Sequence, residues 1–146
     1  MRMVAIRCAK AKDAPAIHRL NRDSLGYDAS LEETKERLSR ILGMEQFRIF
    51  VAEEDGKTVG YVEASDYELT YRDPFKNVLA LAVDEGLRMK GVGRALLKEV
   101  EGWAMEEGCI GVRLVSSTYR IGAHQFYVNC GYEKIKEQAQ FAKRLQ

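Results

Sequence analysis

Disulfides, membrane spans and a dominant charge are all missing from this sequence. Its three cysteines, Cys8, Cys109 and Cys130, are odd in number, far apart and include no CxxC pair. That pattern argues against a disulfide framework or a zinc site and for a reducing, cytoplasmic compartment. Long apolar runs are absent as well: the longest aliphatic stretch, residues 78–83, has six residues, whereas a bilayer span takes about 20. The N-terminus has no apolar core of a secretory signal, so no membrane partner is expected. Lys plus Arg number 23 against 22 Asp plus Glu, for a formal net charge of +1. No overall field therefore draws in nucleic acid. With no repeat, low-complexity tract or Pro/Gly/Ser-rich linker, residues 1–146 are expected to form a single domain, for which this length is ordinary.

What is present is a succession of short strand and helix patterns. Residues 3–9 alternate as a strand. Asp13 is placed to cap a helix with Pro15 in its first turn, Ile17, Leu20 and Leu25 at helical spacing and Gly26 as its stop. Ser30 to Glu33 has capping-box spacing, with Leu31, Leu38, Ile41 and Leu42 as the buried stripe behind it. Residues 47–53 and 58–67 read as strands joined by a hairpin at Asp55-Gly56. Arg72-Asp73-Pro74 interrupts the pattern, and residues 77–83 follow as a strand apolar on both faces, hence central. A helix over 91–107 carries Val92, Leu96, Val100, Trp103 and Ala104 on one side and ends at Gly108. Residues 110–115 read as another buried strand, 120–130 as a short helix closed by Gly131, and 139–145 as a last strand. The order β-α-α-β-β-β-α-β-α-β predicts an α/β (α+β) fold, with a central mixed, mostly antiparallel sheet of about six or seven strands and about four flanking helices.

Residues 83–94 are the chemically informative segment: a central strand ends, a turn rich in glycine and basic residues follows, and a helix begins at once. The first amides of a helix have no partner within it, and the helix dipole adds partial positive charge there. Glycine at positions 91 and 93 lets a pyrophosphate approach the backbone without meeting a Cβ, and Arg88, Lys90 and Arg94 add charge. A dinucleotide fingerprint starting at Gly91 fails because Leu96 stands where glycine or alanine is needed. A P-loop starting at Gly86 fails because Val92-Gly93 replaces Lys and Ser/Thr. The plainer alternative is a glycine-rich turn with solvated charges.

A second constellation places Arg120, His124 and Tyr127 at i, i+4, i+7, along one edge of one helix, beside Ala123, Phe126 and Cys130. On its own Tyr127 reads as an amphipathic packing residue. Together the two segments resemble the GCN5-related N-acetyltransferase (GNAT) family. Ala82-Val83-Asp84 followed by Arg88-x-x-Gly91-x-Gly93-Arg94-x-Leu96-Leu97 is similar to that family's acetyl-CoA motif. Ala123-His124-Gln125-Phe126-Tyr127-Val128-Asn129-Cys130-Gly131-Tyr132 is similar to its second signature, AxxFYxxxGY. The opening over residues 6–20 and Val59-Gly60-Tyr61 also fit, so the resemblance covers nearly the whole chain.

The resemblance implies an acetyl-CoA-dependent N-acetyltransferase with an amine acceptor; a homodimer is left open. Cofactor contacts would come from Leu81, Ala82 and Val83, whose strand edge would pair with the pantetheine arm. Others would come from Arg88, Met89, Lys90, Gly91, Val92, Gly93, Arg94 and Ala95 around the pyrophosphate, and from Arg120, His124 and Tyr127. Two positions depart from the family pattern. Arg120 replaces a frequent asparagine and is either a phosphate contact or a surface cation. Val78, Leu79 and Ala80 fill the strand region where a glutamate base often stands.

A thioester is already activated, so an amine attacks it without a metal or a covalent enzyme intermediate. Tyr127, a phenol of pKa about 10, is the expected acid for the leaving thiolate. Glu63 is the expected base through a water, with Asp66, Glu68 and His124 as alternatives. Tyr27 and Asp28, between the first two helices, and residues 63–71 combine acidic and aromatic side chains suited to a cationic amine; a solvated edge is the plainer account. A non-catalytic acyl-CoA sensor is the alternative function.

Overall fold

A computed structural model describes residues 4–88 and 90–146; Met3, expected in the first strand, and Met89, expected at the pyrophosphate, lie outside them. The chain forms two compact units, one ending at Leu114 and one running from Val115 to Gln146. No helix among the described residues is long and apolar enough to cross a membrane.

The first unit is a sheet in the order β1-β2-β3-β4-β5. β1 (Val4–Cys8), β2 (Phe47–Glu54), β3 (Lys57–Leu69) and β4 (Arg72–Val83) pair antiparallel in turn, and β5 (Gly111–Leu114) joins β4 in parallel. Helices α1 (Ala14–Leu25) and α2 (Leu31–Leu42) connect β1 to β2, and α3 (Val92–Glu106) connects β4 to β5. A parallel neighbour requires such a crossover. The sheet is thus mixed and mostly antiparallel, as expected.

Local chemistry explains the helix ends. Asp13 precedes α1, but its carboxylate makes no cap bond to that helix. It accepts instead from Arg7 Nη1 and Nη2 at 2.8 Å each, the Lys10 amide at 2.7 Å and the Thr58 hydroxyl at 3.2 Å. Burial alone would raise the Asp13 pKa; these donors outweigh it and hold the carboxyl below its ordinary value. At α2 the capping box forms as read: the Glu33 amide donates to Ser30 Oγ at 3.1 Å and the Ser30 amide to Glu33 Oε1 at 2.9 Å. Its stripe is narrower than expected, with Leu38 buried and Leu42 40% exposed.

One face of the sheet carries Ile49, Val51, Tyr61 and Ala82 against Ile17, Leu20 and Leu38 of α1 and α2. The other face receives α3, which buries Val92, Leu96, Leu97, Val100, Trp103 and Ala104. Each strand alternates between these faces, so a residue's parity decides which layer it joins.

Four expectations are corrected. β4 starts at Arg72, so Arg72-Asp73-Pro74 belongs to the strand rather than interrupting it. Pro74 lies beside a register shift between Tyr67 and Leu69, where the ladder does not need its missing N–H; its carbonyl accepts from the Ile110 amide at 2.9 Å. β5 is shorter than residues 110–115, and all of it is half-buried. The sheet has five strands, not about six or seven. Residues 139–145 form none, since they join no ladder.

The second unit holds α4 (Ile121–Asn129). Arg120 precedes it as the N-cap residue, so only His124 and Tyr127 of the expected edge lie on the helix. The Tyr132 amide returns to the Tyr127 carbonyl at 3.0 Å and closes its C-terminal end.

Candidate active site

The site is built outward from the end of β4. The β4–β5 register covers Phe75 to Val78, so residues 79–83 extend past the end of β5. Across from them, β3 stays in register except at one irregularity: Glu63 opposes Ala80 while Ala64 opposes Val78, leaving Leu79 as an extra residue on β4. Such a bulge bends its strand and marks the point where β4 and β5 separate. The Asp84 amide donates to the Val59 carbonyl of β3 at 2.8 Å. Backbone alternation then turns the amides of Val83 and Leu81 away from β3. The Val83 carbonyl is already engaged, accepting from Ser24 Oγ at 3.1 Å and Arg88 Nε at 3.4 Å.

Past Val83 the chain makes one 3-10 turn, Glu85–Leu87, before α3. The amides of Arg88 and Lys90 are used within it, bonding the carbonyls of Glu85 at 3.3 Å and Leu87 at 3.1 Å. The expected cradle of amides over residues 88–93 is therefore narrower. Among the described residues, the first bond of α3 runs from the Ala95 amide to the Gly91 carbonyl at 3.0 Å, and the Val92 and Gly93 amides precede every carbonyl of the helix that could accept from them. Gly91 adopts φ +83, a left-handed conformation that side chains disfavour. Glycine is needed there for backbone shape, and a Cβ would meet nothing within 4 Å. Lys90 and Arg94 are exposed beside these amides, and Ala95 is half-buried behind them.

Helix α1 braces this turn. Arg19 Nη1 donates to Asp84 Oδ1 at 2.5 Å and Nη2 to the Thr58 carbonyl at 3.0 Å. Neither Arg19 nor Ser24 stood out in the sequence. Both lie on a helix whose signals, the apolar stripe with Pro15 and Gly26 at its ends, are local and say nothing of partners distant in sequence.

Glu63 stands on the α1–α2 face of the sheet, in phase with Tyr61, Ser65 and Tyr67. It is half-buried, and burial pushes its carboxyl above the ordinary value. Tyr61 is buried beside it, donating its hydroxyl to Asn21 Oδ1 of α1. Burial first, then the charges of Glu63 and Tyr27, raise the Tyr61 pKa. Tyr27, Asn21, Tyr61 and Glu63 therefore share one electrostatic neighbourhood.

Asp66, an alternative base, belongs to the opposite layer. It accepts from Lys76 Nζ at 2.5 Å. Lys76 is 2% exposed; it also donates to Glu107 Oε1 at 2.5 Å and lies 3.8 Å from the Trp103 ring centroid. Burial opposes its charge, but Asp66 and Glu107 outweigh it and raise its pKa. Asp66 is thus committed to an ion pair, and Glu68 follows the same strand parity.

In the second unit, His124 Nε2 is 2.8 Å from the Ser117 carbonyl, which fixes the ring. Tyr127 is half-buried and packs edge-on against Phe126 and Tyr132, with centroids 5.3 and 6.2 Å away. Burial raises its phenol pKa, with the Arg120 charge acting against that shift.

The sequence profile of the acetyltransferase (GNAT) family matches residues 14–132. An aminoglycoside N(6')-acetyltransferase type 1 from Stenotrophomonas maltophilia is 30% identical, over 97% of this chain and 94% of that protein. Among solved structures, an acetyltransferase described as putative from Agrobacterium tumefaciens superposes with TM-score 0.85 at 24% identity, covering 95% of this chain and 99% of its own. An aminoglycoside N-acetyltransferase in complex with CoA superposes with TM-score 0.87 at 19% identity, covering 99% and 97%. Those two likenesses speak to the fold; the profile and the curated relative speak to descent. This chain belongs to the acetyltransferase (GNAT) family and is an acyltransferase.

Proposed function

We propose that residues 1–146 act as one N-acetyltransferase domain that moves the acetyl group of acetyl-CoA directly onto a primary amine. The observation that carries this is the meeting of two sets of backbone donors at one place. The amides of Leu81 and Val83 face away from β3, and a few residues later the Val92 and Gly93 amides open the N-terminus of α3. The strand edge suits the amide-bearing pantetheine arm, and the helix end suits the pyrophosphate. CoA bound to one structural relative supports the same ligand here.

The reaction needs three services from the chain. Glu63 takes a proton from the acceptor's ammonium through a water and so frees the amine to attack, and its raised pKa brings it closer to its task than an exposed carboxylate. The Val83 amide donates to the oxyanion as the amine's nitrogen bonds to the carbonyl carbon. As the carbon–sulfur bond breaks, the Tyr127 hydroxyl gives its proton to the thiolate, and the extra proton on the new amide nitrogen passes through solvent to restore the phenol. Glu63 opposite Ala80 supplies from β3 the carboxylate that β4 lacks.

The test combines titration calorimetry with CoA and a free-thiol assay with acetyl-CoA and a panel of primary amines. Heat of binding together with amine-dependent thiol release is expected. Absence of CoA binding would overturn the proposal. CoA binding with no thiol release from any amine would make the chain a CoA-responsive sensor instead.

A further inference from the structure

The face that carries Glu63 also carries a guanidinium with no carboxylate partner among the described residues. Arg113 stands on β5 opposite Asn77 of β4, donates to Asn77 Oδ1 at 2.7 Å and lies 4.2 Å from the Tyr67 ring centroid. Asn77 opposes Ser65, Phe75 opposes Tyr67, and both β3 residues alternate in phase with Glu63. Arg113 therefore reaches across β4 toward β3 on the layer where Glu63 is found. Elsewhere in the unit, half-buried arginines are neutralised: Arg7 pairs with Asp13 and Glu53, and Arg19 with Asp84.

Arg113 is half-buried, and both of its contacts are uncharged. A neutral amide and an aromatic face orient a guanidinium without satisfying its charge. The planar fork has five N–H donors, and most remain for a ligand. Because Asn77 and Tyr67 already fix the plane, little conformational freedom is left to lose on binding. Such a fork matches carboxylate or phosphate oxygens.

We propose that Arg113, held by Asn77 and Tyr67, receives an anionic oxygen group of the acceptor while the acceptor's amine sits at Glu63. This rests on the proposal that Glu63 deprotonates the acceptor. The acceptor is then an amine that bears its own carboxylate or phosphate, not a polycation. Tyr67 and Glu63 are four residues apart on β3, roughly 13 Å. After the reach of Glu63 and one relaying water, that span suits an amine and anion several bonds apart.

Matched pairs test this: 6-aminohexanoate against 6-aminohexanamide for a carboxylate, and glucosamine 6-phosphate against glucosamine for a phosphate. In thiol release with acetyl-CoA, the anionic member of one pair is expected to have a kcat/KM higher by about 10- to 100-fold. The pair that responds identifies the anion. Arg113→Met should bring that ratio close to one, mainly through KM. Arg113→Lys keeps the charge without the fork and should give an intermediate ratio. Melting temperatures establish that both variants fold. Equal rates within both pairs, or a preference that survives Arg113→Met, would overturn the inference. Should no amine release thiol, the proposed transferase reaction is what has failed. The same pairs titrated calorimetrically onto the CoA-bound protein and its Arg113→Met variant still decide whether an anion is preferred.

Discussion

Val62 and Ala64 flank Glu63 on β3, and both are 0% exposed on the α3 side of the sheet. Glu63 emerges on the other side, where burial disfavours its charge. The folded state thus holds this proton more tightly than the unfolded chain does. The resulting cost to stability is absent below the ordinary carboxylate range and complete above the raised pKa. Glu63→Gln is therefore expected to raise the melting temperature near neutrality and to leave it unchanged below about pH 4, as melts across a pH series would measure. The same substitution should lower kcat by about 10²–10⁴-fold, the exchange of stability for activity common at active sites. Tyr127→Phe should lower kcat by about 100-fold with little change in the calorimetric Kd for CoA. An unchanged kcat would remove Tyr127 from its role. Glu63 was legible as an acid on a strand, but Asp66 and Glu68 were grouped with it. Applying the two-residue alternation to β3 separates them: Asp66 faces Lys76 and Trp103. The burial of Lys76 was not legible, since its aromatic cover comes from α3, distant in sequence. Arg113 was hidden for the same reason, because Asn77 and Tyr67 lie on other strands.

At the scale of elements, the tie between α1 and the turn after β4 is the least expected feature. Arg19 and Ser24 hold Asp84 and Val83, so a helix on the proposed acceptor side sets the position of the proposed cofactor turn. Arg19→Met should raise the KM for acetyl-CoA by about three- to tenfold and change kcat less. A kcat loss with unchanged KM would place Arg19 elsewhere in the cycle. The helices themselves were readable because their signals are local: Pro15, the Ser30–Glu33 box, Gly26 and Gly91 each act within a turn of their own position. Strand ends were less readable. Pro74 looked like a break because its tolerance depends on a register irregularity with β3, and partner strands decide that. The 3-10 turn at Glu85–Leu87 consumes amides that a glycine-and-cation count assigns to phosphate, and no composition signal distinguishes the two uses.

For the molecule as a whole, one domain over residues 1–146 is a proposal that spans both compact units. Scanning calorimetry is expected to give a single transition whose calorimetric and van't Hoff enthalpies agree; two resolved transitions would separate the units. The Lys76 cluster has a further consequence in such experiments. An ammonium that is 2% exposed, clasped by Asp66 and Glu107 beneath an indole, is shielded from electrophiles. An enzyme bathed in a reactive thioester exposes its own surface lysines to stray acylation, and Lys57 and Lys90 are exposed. Peptide mapping after brief treatment with an amine-reactive ester should find those two labelled and Lys76 untouched. Lys76 should become labelled only when denaturant opens the sheet, which makes it an internal chemical clock for unfolding.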